Sequence, residues 1–291
     1  MRDYLKNFLI DYNYADSDAK FLIYLYDTIA KDSASFSLLN NACELYIDCD
    51  NFDYDKCASF SKEIASKIGV SYYSIDLLLL ILLSFRAKEF YKQKNISDKI
   101  FYDTMLDIRY KLEECKLCKG VIGTFVFWWF NGYFNLKRFA FGRLQFEIKE
   151  LPEDFVSKDV FLPKGSKVIN THIPRSGMPL DEDSCNQSFL MAKNFFRDEF
   201  NSQKVPFICH TWLFYSGFVN LLQENTNLYK FCKRFTIYKE DETSGQDLWR
   251  FFDTEEKDLK KLPTNTSLRK RYVEYLLNGG KTGSGLGIYF Y

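Results

Sequence analysis

Four consecutive blocks set the architecture: Lys167-Val-Ile-Asn-Thr-His-Ile173, Pro174-Arg-Ser-Gly-Met-Pro179, Asp183 to Phe200, and Pro206-Phe-Ile-Cys-His-Thr-Trp-Leu-Phe214. The first is an apolar run short enough for a strand. The second, with two prolines and a glycine, is a loop. The third begins with acids, as helices do. The fourth reads as a buried strand. Strand, loop, helix, strand implies an α/β layer with some parallel pairing, because parallel strands need a crossover between them.

The same grammar extends downstream. Phe218 to Phe231 reads as a helix, Phe235-Thr-Ile-Tyr-Lys-Glu240 as a strand, and Gly287-Ile-Tyr-Phe-Tyr291 as a closing strand. Upstream, Arg138-Phe-Ala-Phe-Gly-Arg-Leu-Gln-Phe-Glu-Ile148 alternates at period two and reads as one strand. A Pro-Lys-Gly turn at 163–165 precedes the 167–173 strand. Before residue 130 the pattern is helical. Asp18 to Ala30, Tyr54 to Ile68, Ser74 to Lys94 and Asp98 to Lys116 carry apolar residues at helical spacing, and Pro is absent before Pro152. Five or six helices are expected over residues 1 to about 130.

Composition narrows the function classes. The chain has 291 residues, 39 basic and 39 acidic side chains, and no net charge. That balance argues against nucleic acid, whose binding rests on an excess of Lys and Arg. The longest apolar run, Leu77 to Leu83, is too short to span a bilayer. Met1-Arg-Asp-Tyr-Leu-Lys-Asn-Phe8 shows no secretory pattern, so a cytoplasmic location with reduced thiols is expected. The 18% aromatic content is spread over the whole length, which fits codon bias better than a stacking platform.

Candidate chemistry concentrates in the second half. The two histidines are His172, at the end of one strand, and His210, inside the next. If those strands are neighbours, both imidazoles reach one crevice at the strand ends, where open α/β sheets bind ligands. The structural alternative for each is a hydrogen-bonded ring holding the sheet. Cys209 and His210 are adjacent and point to opposite faces, so they form no dyad. Arg175-Ser176-Gly177, between strand and helix, offers backbone N–H groups to an anion. Asp181-Glu182-Asp183 suit a helix start, or else attract a substrate amine. Cys115-Lys-Leu-Cys118 lacks further ligands at zinc spacing, and no metal is expected. Gly279-Gly-Lys-Thr-Gly-Ser-Gly285 is not a P-loop, since Tyr275 stands where the first glycine belongs and no helix follows; it reads as a flexible turn.

Phe141-Gly-Arg-Leu-Gln-Phe-Glu147, Thr171-His-Ile-Pro-Arg-Ser-Gly177 with Pro179-Leu-Asp181, Cys209-His-Thr-Trp-Leu213 and Leu262-Pro-Thr-Asn-Thr-Ser-Leu268 together resemble a bacterial group of acyltransferase-domain proteins. That group joins a helical N-acyltransferase domain to a C-terminal domain similar to the GNAT fold. The resemblance implies a mixed α+β and α/β chain. Residues 1–134 would form the helical domain and 135–291 a GNAT-like mixed sheet. It also implies acyl-CoA or acetyl-CoA as co-substrate, held between two splayed parallel strands, and a small-molecule amine as acceptor. On that model Ile173, Arg175, Ser176 and Gly177 would meet the CoA moiety, His172 or His210 would be the base, and Tyr229 would protonate the thiolate. Asp181 would contact the acceptor. The loop matches the usual Q/R-x-x-G-x-G/A pattern only at Arg175. Two rivals follow: a degenerate GNAT-like fold serving as a binding or scaffold module, and a hydrolase using Cys185 or Ser176 with a histidine.

Overall fold

A computed structural model describes residues 1–50, 52–243, 245 and 248–291. The chain divides into two compact units, Met1–Ala140 and Phe141–Tyr291.

The first unit is helical: α1 (Arg2–Asp11), α2 (Asp16–Lys31), α3 (Ser33–Glu44), α4 (Tyr54–Ile68), α5 (Tyr72–Gln93), α6 (Asp98–Lys119) and the short α7 (Asn131–Phe134). Side-chain caps start four of them. Asp32 accepts from Ser35 N–H, Asp53 from Lys56, Ser71 from Tyr73 and Ser97 from Ile100. Each cap satisfies one of the orphan donors of a helix start and contributes about 1 kcal/mol. Every residue of α5 from Ser74 to Ser84 is buried, so the leucine run is the axis of this unit rather than one stripe of it. Among the described residues no helix is long and apolar enough to cross a membrane. Near the unit's end, Asp107 Oδ2 accepts from Trp129 Nε1 (3.1 Å) and from the Tyr133 hydroxyl (2.9 Å). Asp107 and Tyr133 are fully buried, so this network anchors the last helical turn to α6.

The second unit is built on a sheet. Its elements are β1 (Arg138–Phe141, crossing the boundary), β2 (Leu144–Glu150), β3 (Phe155–Val156), β4 (Phe161–Leu162), β5 (Lys167–His172), α8 (Glu182–Phe195), β6 (Pro206–Thr211), α9 (Ser216–Val219), α10 (Asn227–Lys233), β7 (Thr236–Thr243), α11 (Leu248–Phe252), α12 (Ser267–Leu277) and β8 (Thr282–Phe290). The strand order is β1-β2-β5-β6-β8-β7, with β3 and β4 forming a separate hairpin. The sheet is mixed: β5 and β6 pair in parallel, while β2 with β5, β6 with β8, and β7 with β8 are antiparallel.

Four sequence expectations need correction. Residues 138–148 are two strands, because Gly142 at φ 62 lets the chain reverse after Phe141. The helix expected over 218–231 is two, since the Thr226 side chain caps a new start at Tyr229 N–H. The helix after the loop stops at Phe195 rather than Phe200, with a 3-10 turn at Arg197–Glu199. The glycine-rich tail is not a flexible turn to its end: from Thr282 onward it is strand β8.

Two layers cover the sheet. On one face Phe146 and Phe207 pack around Phe189 of α8, with ring centroids 5.6 and 5.0 Å away. Phe214 and Phe231 extend that layer to α10. On the other face Val168, Ile208, Leu286 and Ile288 pack against Leu151 and Phe155 beside the β3–β4 hairpin.

Candidate functional site

β5 and β6 place the two histidines. Side chains alternate across a strand, so Val168, Asn170 and His172 share one face of β5. The register carries that face to Gln145 and Glu147 on β2, to Ile208 and His210 on β6, and to Ser284, Leu286 and Ile288 on β8. Both imidazoles therefore lie on the same face of the sheet, on adjacent strands. Cys209 lies on the opposite face, buried, while His210 is exposed.

The parallel pairing is short. Ile169 partners Phe207 and Asn170 partners Ile208, and the register ends there. Beyond it Thr171 and His172 stay with Phe146 and Gln145 of β2. Cys209, His210 and Thr211 stay with Gly287, Leu286 and Gly285 of β8. Each strand keeps its outer partner where the β5–β6 pairing has ended, which leaves a wedge of backbone unpaired between β5 and β6 at the carboxyl ends that carry His172 and His210.

His172 has a carboxylate partner that the motif reading did not name. Glu147 Oε1 lies 2.8 Å from His172 Nε2 and accepts from Asn170 Nδ2 at 3.3 Å. The side chains of Glu147 and His172 are 6% and 22% exposed. Lys149 Nζ lies 3.7 Å from Glu147 Oε2. A carboxylate in that position orients the ring and stabilises the imidazolium that forms when the ring takes a proton. His210 Nε2 lies 2.9 Å from Ser284 Oγ.

The loop after β5 is tied down by Arg143, from the β1–β2 turn. Its Nε donates to Met178 O (3.0 Å) and Pro179 O (3.1 Å), and its Nη1 to Pro174 O (3.0 Å). With the carbonyls so engaged, the N–H groups of Ile173, Arg175 and Gly177 meet no acceptor among the described residues. Ser176 N donates to Pro174 O, and the Ser176 hydroxyl accepts from Met178 N–H. The Arg175 guanidinium pairs with Asp253 Oδ1 at 2.8 Å, and Arg269 holds the other oxygen at 2.7 Å. Asp181 is the N-cap of α8, accepting from Ser184 N–H, and those hydrogen bonds hold its carboxyl below the usual range.

The remaining candidates lie apart from the imidazoles. Tyr229 is half-buried in the first turn of α10, with Lys233 Nζ 5.2 Å from its ring centroid, on the α8 side of the sheet. Cys185 is buried in α8, and burial pushes its thiol up to about 11, so it is held as the thiol near neutrality. A cleft of about 550 Å³ lined by Leu221, Arg271, Glu274, Tyr275 and the 278–280 turn includes neither histidine. Among the described residues no group of His, Cys, Asp and Glu is arranged to hold a metal ion.

Glu147 and Arg143 both fall within the motif Phe141 to Glu147, yet neither stood out as a site residue. The legible signal was Glu147 itself, a charge in a strand otherwise buried from Leu144 to Glu147.

Solved structures share this fold. A crystal structure of an acyltransferase in complex with decanoyl-CoA has a TM-score of 0.75 at 20% identity, covering 97% of this chain and 86% of that one. Another, with decanoyl-CoA and teicoplanin, has a TM-score of 0.75 at 18% identity over 98% and 86% of the two chains. A mutant acyltransferase in complex with octanoyl-CoA has a TM-score of 0.77 at 16% identity over 99% and 87%. No curated protein matches the chain. A family model described as N-acyltransferase N-terminal domain matches residues 3–136, and one described as GNAT-like C-terminal domain matches residues 139–289. The chain therefore belongs to the family that joins an N-acyltransferase N-terminal domain to a GNAT-like C-terminal domain.

Proposed function

We propose that the chain transfers an acyl group from acyl-CoA to the amine of a small molecule, with the thioester lying in the wedge between β5 and β6. The carrying observation is that wedge: two parallel strands whose pairing stops after Asn170 and Ile208, with both imidazoles on one face of the sheet. Solved structures of the same fold bind decanoyl-CoA and octanoyl-CoA.

Acyl transfer to an amine needs a base for the ammonium, donors for the developing oxyanion, and an acid for the leaving thiolate. His172 is the base, directly or through a water, and Glu147 stabilises the imidazolium it becomes. The Ile173 N–H, at the lip of the wedge, donates to the carbonyl oxygen as it turns into an alkoxide. The N–H groups of Arg175 and Gly177 meet the CoA diphosphate. Tyr229 protonates the thiolate from the opposite side of the sheet, so nucleophile and leaving group occupy opposite faces. Asp181, spent as a helix cap, contributes negative charge beside the loop rather than a free substrate contact.

Thermal melting with acetyl-CoA, octanoyl-CoA and decanoyl-CoA tests this. A ligand at a hundred times its Kd adds about 2.7 kcal/mol, so a clear upward shift is expected with at least one of them. Thiol release must then rise on adding an amine. No shift at millimolar ligand refutes the reading. The Arg175–Asp253 ion pair and the acids opening α8 favour a second reading, a binding module that has lost CoA; it predicts no shift and no thiol release.

A further inference from the structure

The acyl-transfer scheme uses His172 and leaves His210 and Ser284 unexplained. We propose that Ser284, with His210 as its base, is a second acyl acceptor that takes the acyl group from acyl-CoA when no amine is present. This rests on the acyl-CoA reading above.

Four observations converge. Ser284 Oγ is 2.9 Å from His210 Nε2, the reach required of a nucleophile and its base. Ser284 lies on the sheet face that carries both imidazoles. It also lies at the right end of the sheet: β8 runs antiparallel to β6, Gly285 partners Thr211, and Ser284 is one residue beyond, level with the mouth of the wedge and one strand from it, with His210 of β6 between. Finally, its backbone is fixed. A Cβ at Gly283 would meet the Tyr215 ring, and one at Gly285 would come within 2.8 Å of Phe214 Cβ and O. The two glycines are thus required by close packing on the far face. They leave Ser284, 7% exposed, aimed into the near one. The Gly283-Ser284-Gly285 stretch thereby acquires a reason that a turn would not provide.

The step balances with acyl-CoA as co-substrate. The Ser284 oxygen attacks the thioester carbonyl carbon while its proton passes to His210 Nε2. The tetrahedral intermediate collapses with cleavage of the C–S bond, and His210 returns the proton to the sulfur, releasing CoA thiol and leaving an ester on Ser284. Water, deprotonated by His210, then hydrolyses the ester to the carboxylic acid and regenerates the serine. The chain is accordingly an acyl-CoA hydrolase in the absence of amine.

The test incubates the full chain with decanoyl-CoA and no amine, and reads intact mass and thiol release. A single acyl adduct sensitive to hydroxylamine is expected, absent from Ser284→Ala and His210→Ala. Release without amine, divided by release with amine in the same preparation, should fall at least about tenfold in Ser284→Ala. Ser284→Cys, which keeps a nucleophile of similar size, should restore an adduct, now a thioester. An unchanged ratio in Ser284→Ala, or an adduct that persists in it, overturns the proposal, as does wild-type protein showing neither adduct nor amine-independent release. Those results leave amine-dependent transfer standing, whereas loss of all acyl-CoA binding by the wild type would remove the parent reading instead.

Discussion

Replacing Glu147 by Gln removes one negative charge and keeps the side chain's size. In the wild type, Glu147 Oε1 sits 2.8 Å from His172 Nε2, and 94% of the Glu147 side chain is hidden from water, given its 6% exposure. A hydrogen bond to a charged group contributes about 1.5–3 kcal/mol. Lys149 lies 3.7 Å from the other carboxylate oxygen and already offsets part of the charge. The lower half of the range therefore applies, about 2 kcal/mol. The interaction strengthens as His172 becomes an imidazolium, so its loss falls on the transition state. At 1.36 kcal/mol per decade, kcat/KM should drop by roughly 30-fold. The KM for acyl-CoA should stay within about twofold, because Glu147 supports the base and not the CoA. The assay is thiol release with saturating amine, run beside a melting curve that certifies the fold. A folded Glu147→Gln protein retaining kcat/KM within about threefold of wild type would refute the reasoning.

Further outcomes follow from other parts of the molecule. Tyr229→Phe should lower kcat by at least about tenfold while leaving the KM for acyl-CoA unchanged, if the phenol protonates the thiolate; an unchanged kcat assigns that proton to water. Asp76, buried in α5, has its carboxyl pushed up to about 7 by desolvation, from 3.8 when unfolded. The folded state then binds the extra proton between those values, so stability falls as pH rises from about 4 to about 7 and is level above. Asp76→Asn should flatten that slope and stabilise the protein at pH 8, by on the order of 4 kcal/mol at most, which urea unfolding at pH 5 and pH 8 would measure. Gly283→Ala places a methyl within 2.3 Å of the Tyr215 ring and 2.7 Å of the Asp241 carbonyl oxygen. It should cost about 1–3 kcal/mol and lower the melting temperature by several degrees; an unchanged melt would show that the Tyr215 ring and the β7 backbone at Asp241 both give way freely.

What could be read from the sequence were the features written in local pattern. Short apolar runs mark β5 and β6, period-two alternation marks the stretch that holds β1 and β2, and helical spacing marks α4, α5 and α6. Positions whose meaning depends on a single backbone angle were less legible. Gly142 splits the 138–148 stretch because φ 62 permits a reversal, while its neighbours keep the strand alternation on both sides. Thr226 starts a new helix inside the 218–231 stretch that reads as one continuous helix. The site residues divide the same way. His172 and His210 stood out because the chain has only two histidines. Glu147 becomes the partner of His172 through the β2–β5 register, which pairs it with Asn170, 23 residues away. Ser284 meets His210 across 74 residues. Such partnerships arise from strand order, which one sequence does not spell out. Arg143 is hidden for a similar reason: its contacts are carbonyl oxygens of a distant loop, and any residue type supplies those.

The most direct measurement is a crystal structure of the chain with decanoyl-CoA. The account predicts the thioester carbonyl between the ends of β5 and β6, within hydrogen-bonding distance of the Ile173 N–H and facing His172. A ligand seated instead in the cleft beside Arg271 and Tyr275, or strands β5 and β6 closed together past Asn170 and Ile208, would contradict it.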